Sequence, residues 1–406
     1  MNILHCDLNN FYASVEQSLD PDLKGKYVAV SGNPATRSGI ILAKNTAAKQ
    51  MGVKTGEAIW QAKQKCPDLV CVPPHFEYYA HFSKRVRAIY EQYTDKVEGF
   101  GMDECWLDVT HCKLFGTPFQ IAEKIRKEVR EKTGLTISVG VSFNKTFAKL
   151  GSDLKKPDAT TVISKENFRQ VVWPLDVSEM LYVGAHTKQK LNEMGIFTLG
   201  DLANATLEPL KKRFGVVAER LKMCANGEDY DTVRNADVER DVKSVGHGTT
   251  TLRDMTSYKD AETVLSVLSE MVATRLRRYG FCGSVVHLDI RRNDLTHEGK
   301  QAAVHPTCMA KDIYATATRL LRCIWKPNDK PLRSLSVNVS GLTAVSAGIQ
   351  MTLFNQSEEK QQQLEFSVDQ IRKKFGFDAI FKGNTLNNDL VCKGMMKEED
   401  LLPFKR

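Results

Sequence analysis

The sequence predicts an α+β multidomain protein, and three observations carry that prediction. Short apolar strands alternate with amphipathic helices over the first 165 residues; the strands stop after Trp173-Pro174, where a helical stretch punctuated by glycines begins; and from Ser244 to Phe354 the order is strand, helix, strand, strand, helix, strand. The 406 residues leave room for roughly two to four domains, each able to bury a core without disulfides or metal.

In the first part, Ile3 to Cys6 reads as a strand ending at the acid Asp7, Asn10 to Leu19 as a helix, and Lys26 to Val30 and Ile40 to Ala43 as short strands. Phe82, Val86, Ile89 and Tyr93 recur at spacings of three and four, which predicts a helix over Phe76 to Tyr93. Val97 to Val109 reads as a hairpin whose turn contains Met102, Asp103 and Glu104. Helix Pro118 to Lys132, strand Thr136 to Ser142, helix Lys145 to Asp153 and strand Thr160 to Ser164 repeat the alternation. Val177 to Cys224 is a separate helical domain, broken at Gly184, Gly195, Gly200 and Gly215, and the polar run Ala225 to Val242 is the expected linker. Beyond it, helices Lys259 to Tyr279 and Ala310 to Trp325 with strands Ser284 to Arg292 and Arg333 to Leu342 suit a duplicated split β-α-β unit, helices on one sheet face and the other face open. A charged helix, Glu358 to Phe375, and an Asn- and Lys-rich tail follow.

Composition excludes several classes. A hydrophobic content of 42% with 26% charged residues is not that of a disordered or fibrous chain. No apolar run approaches the ~20 residues of a bilayer span, and the start lacks the basic and apolar regions of a signal peptide. Ten scattered cysteines without a CxxC predict reduced thiols and a cytoplasmic protein, and His305 and Cys308 have no second ligand pair near them in sequence. The net charge of +8 is compatible with a polyanionic partner.

Asp7 at a strand end and Asp103-Glu104 in a hairpin bring three carboxyl groups to one sheet edge if the strands are neighbours. Hard oxygen ligands in such a cluster suit two Mg²⁺ ions and phosphoryl transfer; spacing alone is better met by a turn and a helix cap. Context favours the first reading. Asp7-Leu8-Asn9-Asn10-Phe11-Tyr12-Ala13-Ser14-Val15-Glu16, then Gly101-Met102-Asp103-Glu104-Cys105-Trp106-Leu107-Asp108-Val109, then Ser142 to Asp153 with Lys155-Lys156-Pro157, occur in this order. Together they resemble the Y-family translesion DNA polymerases of the bacterial DinB and UmuC kind, over residues 1 to about 354.

The resemblance implies a ferredoxin-like palm (1–10 and 77–165), small fingers (11–76), a helical thumb (166–232), a linker (233–243), a little finger (244–354) and a C-terminal helix and tail (355–406). It implies attack of a primer 3′-hydroxyl on a dNTP, with two Mg²⁺ ions held by Asp7, the Leu8 backbone carbonyl, Asp103 and Glu104. Tyr12 matches the steric gate that rejects a 2′-hydroxyl, with Phe11 beside it in the nucleotide set. Lys156 matches a triphosphate-binding lysine. Thr46 and Lys49 stand where many relatives have a Tyr and an Arg, so the aromatic and the planar fork are lost.

For primer-template DNA, Leu181 to Thr187 resembles a helix-hairpin-helix, with Gly184 and Thr187 at the phosphate and Tyr182 where the usual first Gly stands. Residues 243–354 carry 15 Lys and Arg against 9 Asp and Glu, most of the chain's surplus. Arg253, Arg291, Arg292 and Arg333, with Ser336 and Asn338 on the polar side of one strand, are the expected grip on DNA. Gln350-Met351-Thr352-Leu353-Phe354 matches the Gln-x-x-Leu-Phe peptide of sliding-clamp partners, Gln350, Leu353 and Phe354 being its anchors. Its place before a charged helix resembles the UmuC-like branch; an accessory subunit or a recombinase filament is a further partner that the resemblance allows, and a membrane is not. A non-catalytic DNA and clamp adaptor of the same family would lack the acidic set, and a palm-fold nucleotidyl cyclase would not need the helical domain, the basic last domain or Tyr12.

Overall fold

A computed structural model describes residues 1–34, 37, 39–238, 241–345, 356–376, 379–380, 382–383 and 389–390. They fall into two compact units, one within Met1–Gly32 and Ile40–Glu239, the other within Asn33–Gly39 and Arg240–Asp400.

The first unit runs β1 (Ile3–Leu8), α1 (Phe11–Leu19), β2 (Val28–Ser31), β3 (Ile41–Lys44), α2 (Thr46–Gln50), α3 (Ile59–Lys65), β4 (Val70–Val72), α4 (Phe76–Tyr90), β5 (Val97–Gly99), β6 (Glu104–Asp108), α5 (Pro118–Thr133), β7 (Ile137–Ser142), α6 (Lys145–Leu154) and β8 (Thr160–Ile163). The helices α7 (Phe168–Val172), α8 (Ala185–Asn192), α9 (Leu199–Asn204), α10 (Leu207–Phe214) and α11 (Val217–Ala225) complete it. Five strands form one sheet in the order β5-β6-β1-β7-β8, and three form another in the order β3-β2-β4.

Strand β1 is central and pairs antiparallel on both sides, with β6 and β7. That double ladder carries it to Leu8, so Asp7 lies inside the strand rather than after it. The period of two then sorts its side chains. Leu4, Cys6 and Leu8 enter the core shared with α4 and α5, while Ile3, His5 and Asp7 face the side on which α6 packs. Gly140 of β7 stands beside His5 on that face. A Cβ there would fall 1.8 Å from the Ala148 carbonyl oxygen and 2.5 Å from the Ser152 nitrogen, so only glycine lets α6 approach this closely. Those obstacles are helix backbone and cannot swing aside. Gly140→Ala is expected to cost about 3 kcal/mol by forcing α6 off the sheet; a denaturant melt superimposing on wild type would show that the helix yields.

Helices α2 and α3 and strand β4 were not anticipated, because each, at three to seven residues, is too short to show a period. The polar segment after α11 has more apolar anchoring than its composition suggests. Val233 is buried with Ile3, Trp106 and Ala148, and the Ala236 amide bonds the Asp95 carbonyl.

The second unit contains β9 (Ser244–Met255), α12 (Tyr258–Arg278), β10 (Phe281–Arg292), β11 (His297–Thr307), α13 (Ala310–Ile324), β12 (Leu332–Ala344) and α14 (Gln356–Phe375). Its antiparallel sheet has the order β11-β10-β12-β9, with α12 and α13 against one face. Helix α14 turns polar residues inward: Asp369 accepts from Arg277 at 2.6 Å, Glu365 also pairs with Arg277, and Arg372 donates to Glu270 at 2.7 Å. Leu364, Phe366, Ile371 and Phe375 on the same helix are exposed. Leu390 is fully buried in this unit's core, so the tail contributes to it at least at that point.

Candidate functional site

Register brings the acids together. Asp7 lies directly opposite Glu104 in the β1–β6 ladder, and the Leu8 amide donates to the Asp103 carbonyl at 3.0 Å. Asp103 precedes β6 and Glu104 opens it. Two lysines neutralise the cluster. Lys156 Nζ donates to Asp7 Oδ2 at 2.7 Å while pairing with Asp153 at 2.7 Å, and Lys149 Nζ donates to Glu104 Oε2 at 2.6 Å. Burial lifts the Asp7 carboxyl to about 7 against the pull of Lys156, with repulsion from Glu104 and Asp103 adding to the rise. Burial also raises Asp103, and Glu104 raises it further. Glu104 goes the other way: burial opposes its ionisation, but His5 and Lys149 outweigh that and hold it at about 2.

Carboxylates crowded at one edge, two of them raised by burial and mutual repulsion, form a hard-oxygen donor set that a divalent cation would relieve, so the residues fit such an ion. Among the described residues no group of three or more His, Cys, Asp or Glu side chains is placed, as the side chains stand, to hold a metal ion. The Lys156 and Lys149 ammonium groups supply the compensating positive charge instead.

Tyr12 projects from α1 beside this edge. Its ring stacks on Tyr79 with centroids 4.2 Å apart and planes 11° from parallel, meets Phe76 edge-on at 5.9 Å, and its hydroxyl reaches Met102 Sδ at 3.7 Å. Phe11 is buried in the core, its ring 5.4 Å from that of Tyr12 and 6.1 Å from that of Tyr79. Thr46 opens α2 and its hydroxyl accepts from Asn10 Nδ2 at 2.8 Å; Lys49 is exposed on the same helix. Asn9, Asn10, Thr46 and Asp158 help to line an open pocket of about 430 Å³, and none of the three acids lines it.

Three residues beside the acids were missed in the sequence: His5, Lys149 and Ser152. The signal was available, since His5 is two residues before Asp7 in a strand, and Lys149 and Ser152 are three apart on one helix face.

Gly184 is the N-cap of α8, so the Thr187 amide lies in the first turn, where backbone donors lack intrahelical partners. Tyr182 keeps the left-handed conformation expected of a glycine, with φ of 72°, and its exposed ring lies under the Arg220 guanidinium.

On the second unit's sheet, register places Arg291, Asp289 and His287 beside Ser334, Ser336 and Asn338 on the face away from the helices. Gly246 makes room there: a Cβ would fall 1.6 Å from Asn338 Oδ1. Two arginines of the expected grip have partners within the protein. Arg253 is held by Asp260 and Asp389, at 3.0 and 2.7 Å, and Arg292 bonds Glu298 at 2.7 Å and the Ile324 carbonyl at 3.2 Å, on the helix side. Both guanidinium groups are engaged by carboxylates or a carbonyl of the same unit. Arg333 sits half-buried at a bulge of β12. Arg291 is the better candidate, because it lies on the face away from the helices beside Ser334. Arg291→Ala should weaken primer-template binding and lower the slope of log affinity against log salt by about 1, whereas Arg253→Ala should leave the slope unchanged. Equal slopes for all three proteins would remove Arg291 from the grip. The anchors Gln350, Leu353 and Phe354 lie outside the described residues.

The chain matches the sequence model of the impB/mucB/samB family over residues 6–153 and that of the impB/mucB/samB family C-terminal domain over residues 242–364. It is 45% identical to a DNA polymerase IV of Acetivibrio thermocellus over 95% of this chain and 98% of that protein. It is 38% identical to DNA polymerase IV 2 of Bacillus subtilis over 94% and 93% of the two chains. Among solved structures it resembles a Y-family DNA polymerase chimera of Dbh and Dpo4, with a TM-score of 0.77 and 27% identity over 85% of this chain and all of that one. DinB from Sulfolobus solfataricus matches with a TM-score of 0.55 and 27% identity over 84% of this chain and 99% of that one.

Proposed function

The chain belongs to the impB/mucB/samB family of DinB-like, Y-family DNA polymerases, and from that premise we propose how its residues carry out template-directed DNA synthesis across damaged templates. The observation that carries the reading is the register of Asp7 opposite Glu104, with Asp103 tied to the end of the same strand and Lys156 on Asp7.

Asp7, the Leu8 carbonyl, Asp103 and Glu104 would hold two Mg²⁺ ions, which would supply the charge neutralisation needed to ionise a primer 3′-hydroxyl and steady the departing pyrophosphate. The protein's own groups do the rest. Lys156 exchanges its bond to Asp7 for the triphosphate, opposing the charge that builds on the β and γ oxygens. Lys149 keeps Glu104 ionised, and Tyr12 closes the space beneath the sugar. The palm is assigned to the five-stranded sheet, the fingers to the three-stranded sheet, the thumb to α7–α11 and the little finger to the second unit, whose open face suits a duplex backbone. We place the protein in the cytoplasm; among the described residues no helix is long and apolar enough to cross a membrane. Purified protein with Mg²⁺, a primer-template and dNTPs should extend primers on undamaged and lesion-bearing templates; failure on both would refute the reading.

The peptide Gln350 to Phe354, followed by a charged helix, is the UmuC-like feature and the proposed dock for a sliding clamp. Leu353→Ala with Phe354→Ala should abolish clamp-stimulated processivity and leave clamp-free extension intact. Unchanged stimulation would move the dock elsewhere.

A further inference from the structure

We propose that His5, oriented by Ser152, is a positioning residue that fixes the Glu104 carboxylate for metal binding; this rests on the two-metal reading above. His5 is fully buried. Its Nδ1 is 2.8 Å from Ser152 Oγ, and its ring meets Trp106 edge-on, centroids 5.1 Å apart. Its Nε2 is buried without an aligned hydrogen bond and faces Glu104 Oε2 at 3.3 Å. A buried imidazole nitrogen left loose in this way is costly unless a partner closes on it, and the carboxylate it faces belongs to the acidic cluster.

The fold builds this contact deliberately. His5 and Glu104 are diagonal neighbours on one face of the β1–β6 ladder, and the missing side chain at Gly140 lets α6 bring Ser152 onto the imidazole. The Ser152 hydroxyl lies 2.8 Å from Nδ1 and 2.7 Å from the Lys149 carbonyl; with the ring proton on Nε2, its single proton turns from that carbonyl to Nδ1 and His5 donates to Glu104. Lys149 binds the same oxygen, Oε2, so Oε1 is the oxygen left to a metal. Histidine thereby restricts the rotation of Glu104 about its terminal bond, as partners behind metal ligands do. Contacts of this kind are often long without substrate and tighten in the complex.

The test measures Mn²⁺ affinity of the enzyme–primer-template complex by electron paramagnetic resonance, without turnover, beside kcat and KM for dNTP. His5→Phe, which keeps the ring and removes both nitrogens, should weaken Mn²⁺ at least about tenfold and lower kcat similarly, with KM for dNTP unchanged. His5→Gln, which retains a donor toward Glu104, should recover most of that loss, and Ser152→Ala should weaken Mn²⁺ by about threefold. Wild-type Mn²⁺ affinity in folded His5→Phe would overturn the proposal. If that variant does not fold, wild-type affinity in Ser152→Ala overturns it and a weakened one upholds it. Absence of Mg²⁺-dependent extension by the wild type would instead defeat the polymerase reading itself.

Discussion

Asp103→Ala should lose primer extension by about 10³-fold or more, since removing one carboxylate of a metal pair forfeits several kcal/mol at the transition state and each 1.36 kcal/mol is tenfold. The loss should appear without unfolding. The tie between the strand ends runs from the Leu8 amide to the Asp103 main-chain carbonyl, which alanine keeps. The side chain removed is raised by burial and by Glu104, so its charged form is disfavoured in the folded protein and deletion relieves repulsion. Thermal stability should therefore hold or rise, and affinity for primer-template should change little. Asp7→Ala should behave alike in activity, with Lys156 retaining Asp153 as a partner. Substantial extension by purified Asp103→Ala would sink the site assignment; lost activity accompanied by lost structure would make Asp103 a folding residue.

Tyr12→Ala should raise ribonucleotide incorporation relative to deoxyribonucleotide by about 100-fold, or about 2.7 kcal/mol of discrimination. An aromatic ring excludes a 2′-hydroxyl only if it cannot swing away, and here it is clamped on several sides. Tyr79 stacks against it, Phe76 meets it edge-on, and Met102 receives its hydroxyl. Tyr79 is itself fixed by a hydrogen bond to the buried Glu16. Tyr12→Phe keeps the ring and loses only a weak contact to sulfur, so its selectivity should match wild type. Equal selectivity in Tyr12→Ala, measured by single-nucleotide incorporation with dNTP and rNTP in parallel, would reduce Tyr12 to packing.

Much of the fold was legible because its signals are local. The alternation in Ile3 to Leu8, the spacing of Phe82, Val86 and Ile89, and the strand and helix order of the last domain follow from periods of two and 3.6 that each segment carries within itself. In the three-stranded sheet β2 and β3 were anticipated, whereas β4 and the helices α2 and α3 beside it are too short to show a period and were lost. The acids were legible through motif order, but their partners were not.

What the sequence determined by itself is which residue types recur with which period, and hence the strands, the helices, the family and the three carboxylates. Only the tertiary structure decided that Asp7 stands opposite Glu104, that Lys149 and Lys156 neutralise them, that Arg253 and Arg292 are spent on internal carboxylates while Arg291 is not, and that His5 reaches Glu104. The physical reason is range. A backbone period is fixed by neighbours in the chain, whereas an ion pair or buried hydrogen bond is fixed by desolvation and distance in space, and most of those that matter here join residues far apart in the chain.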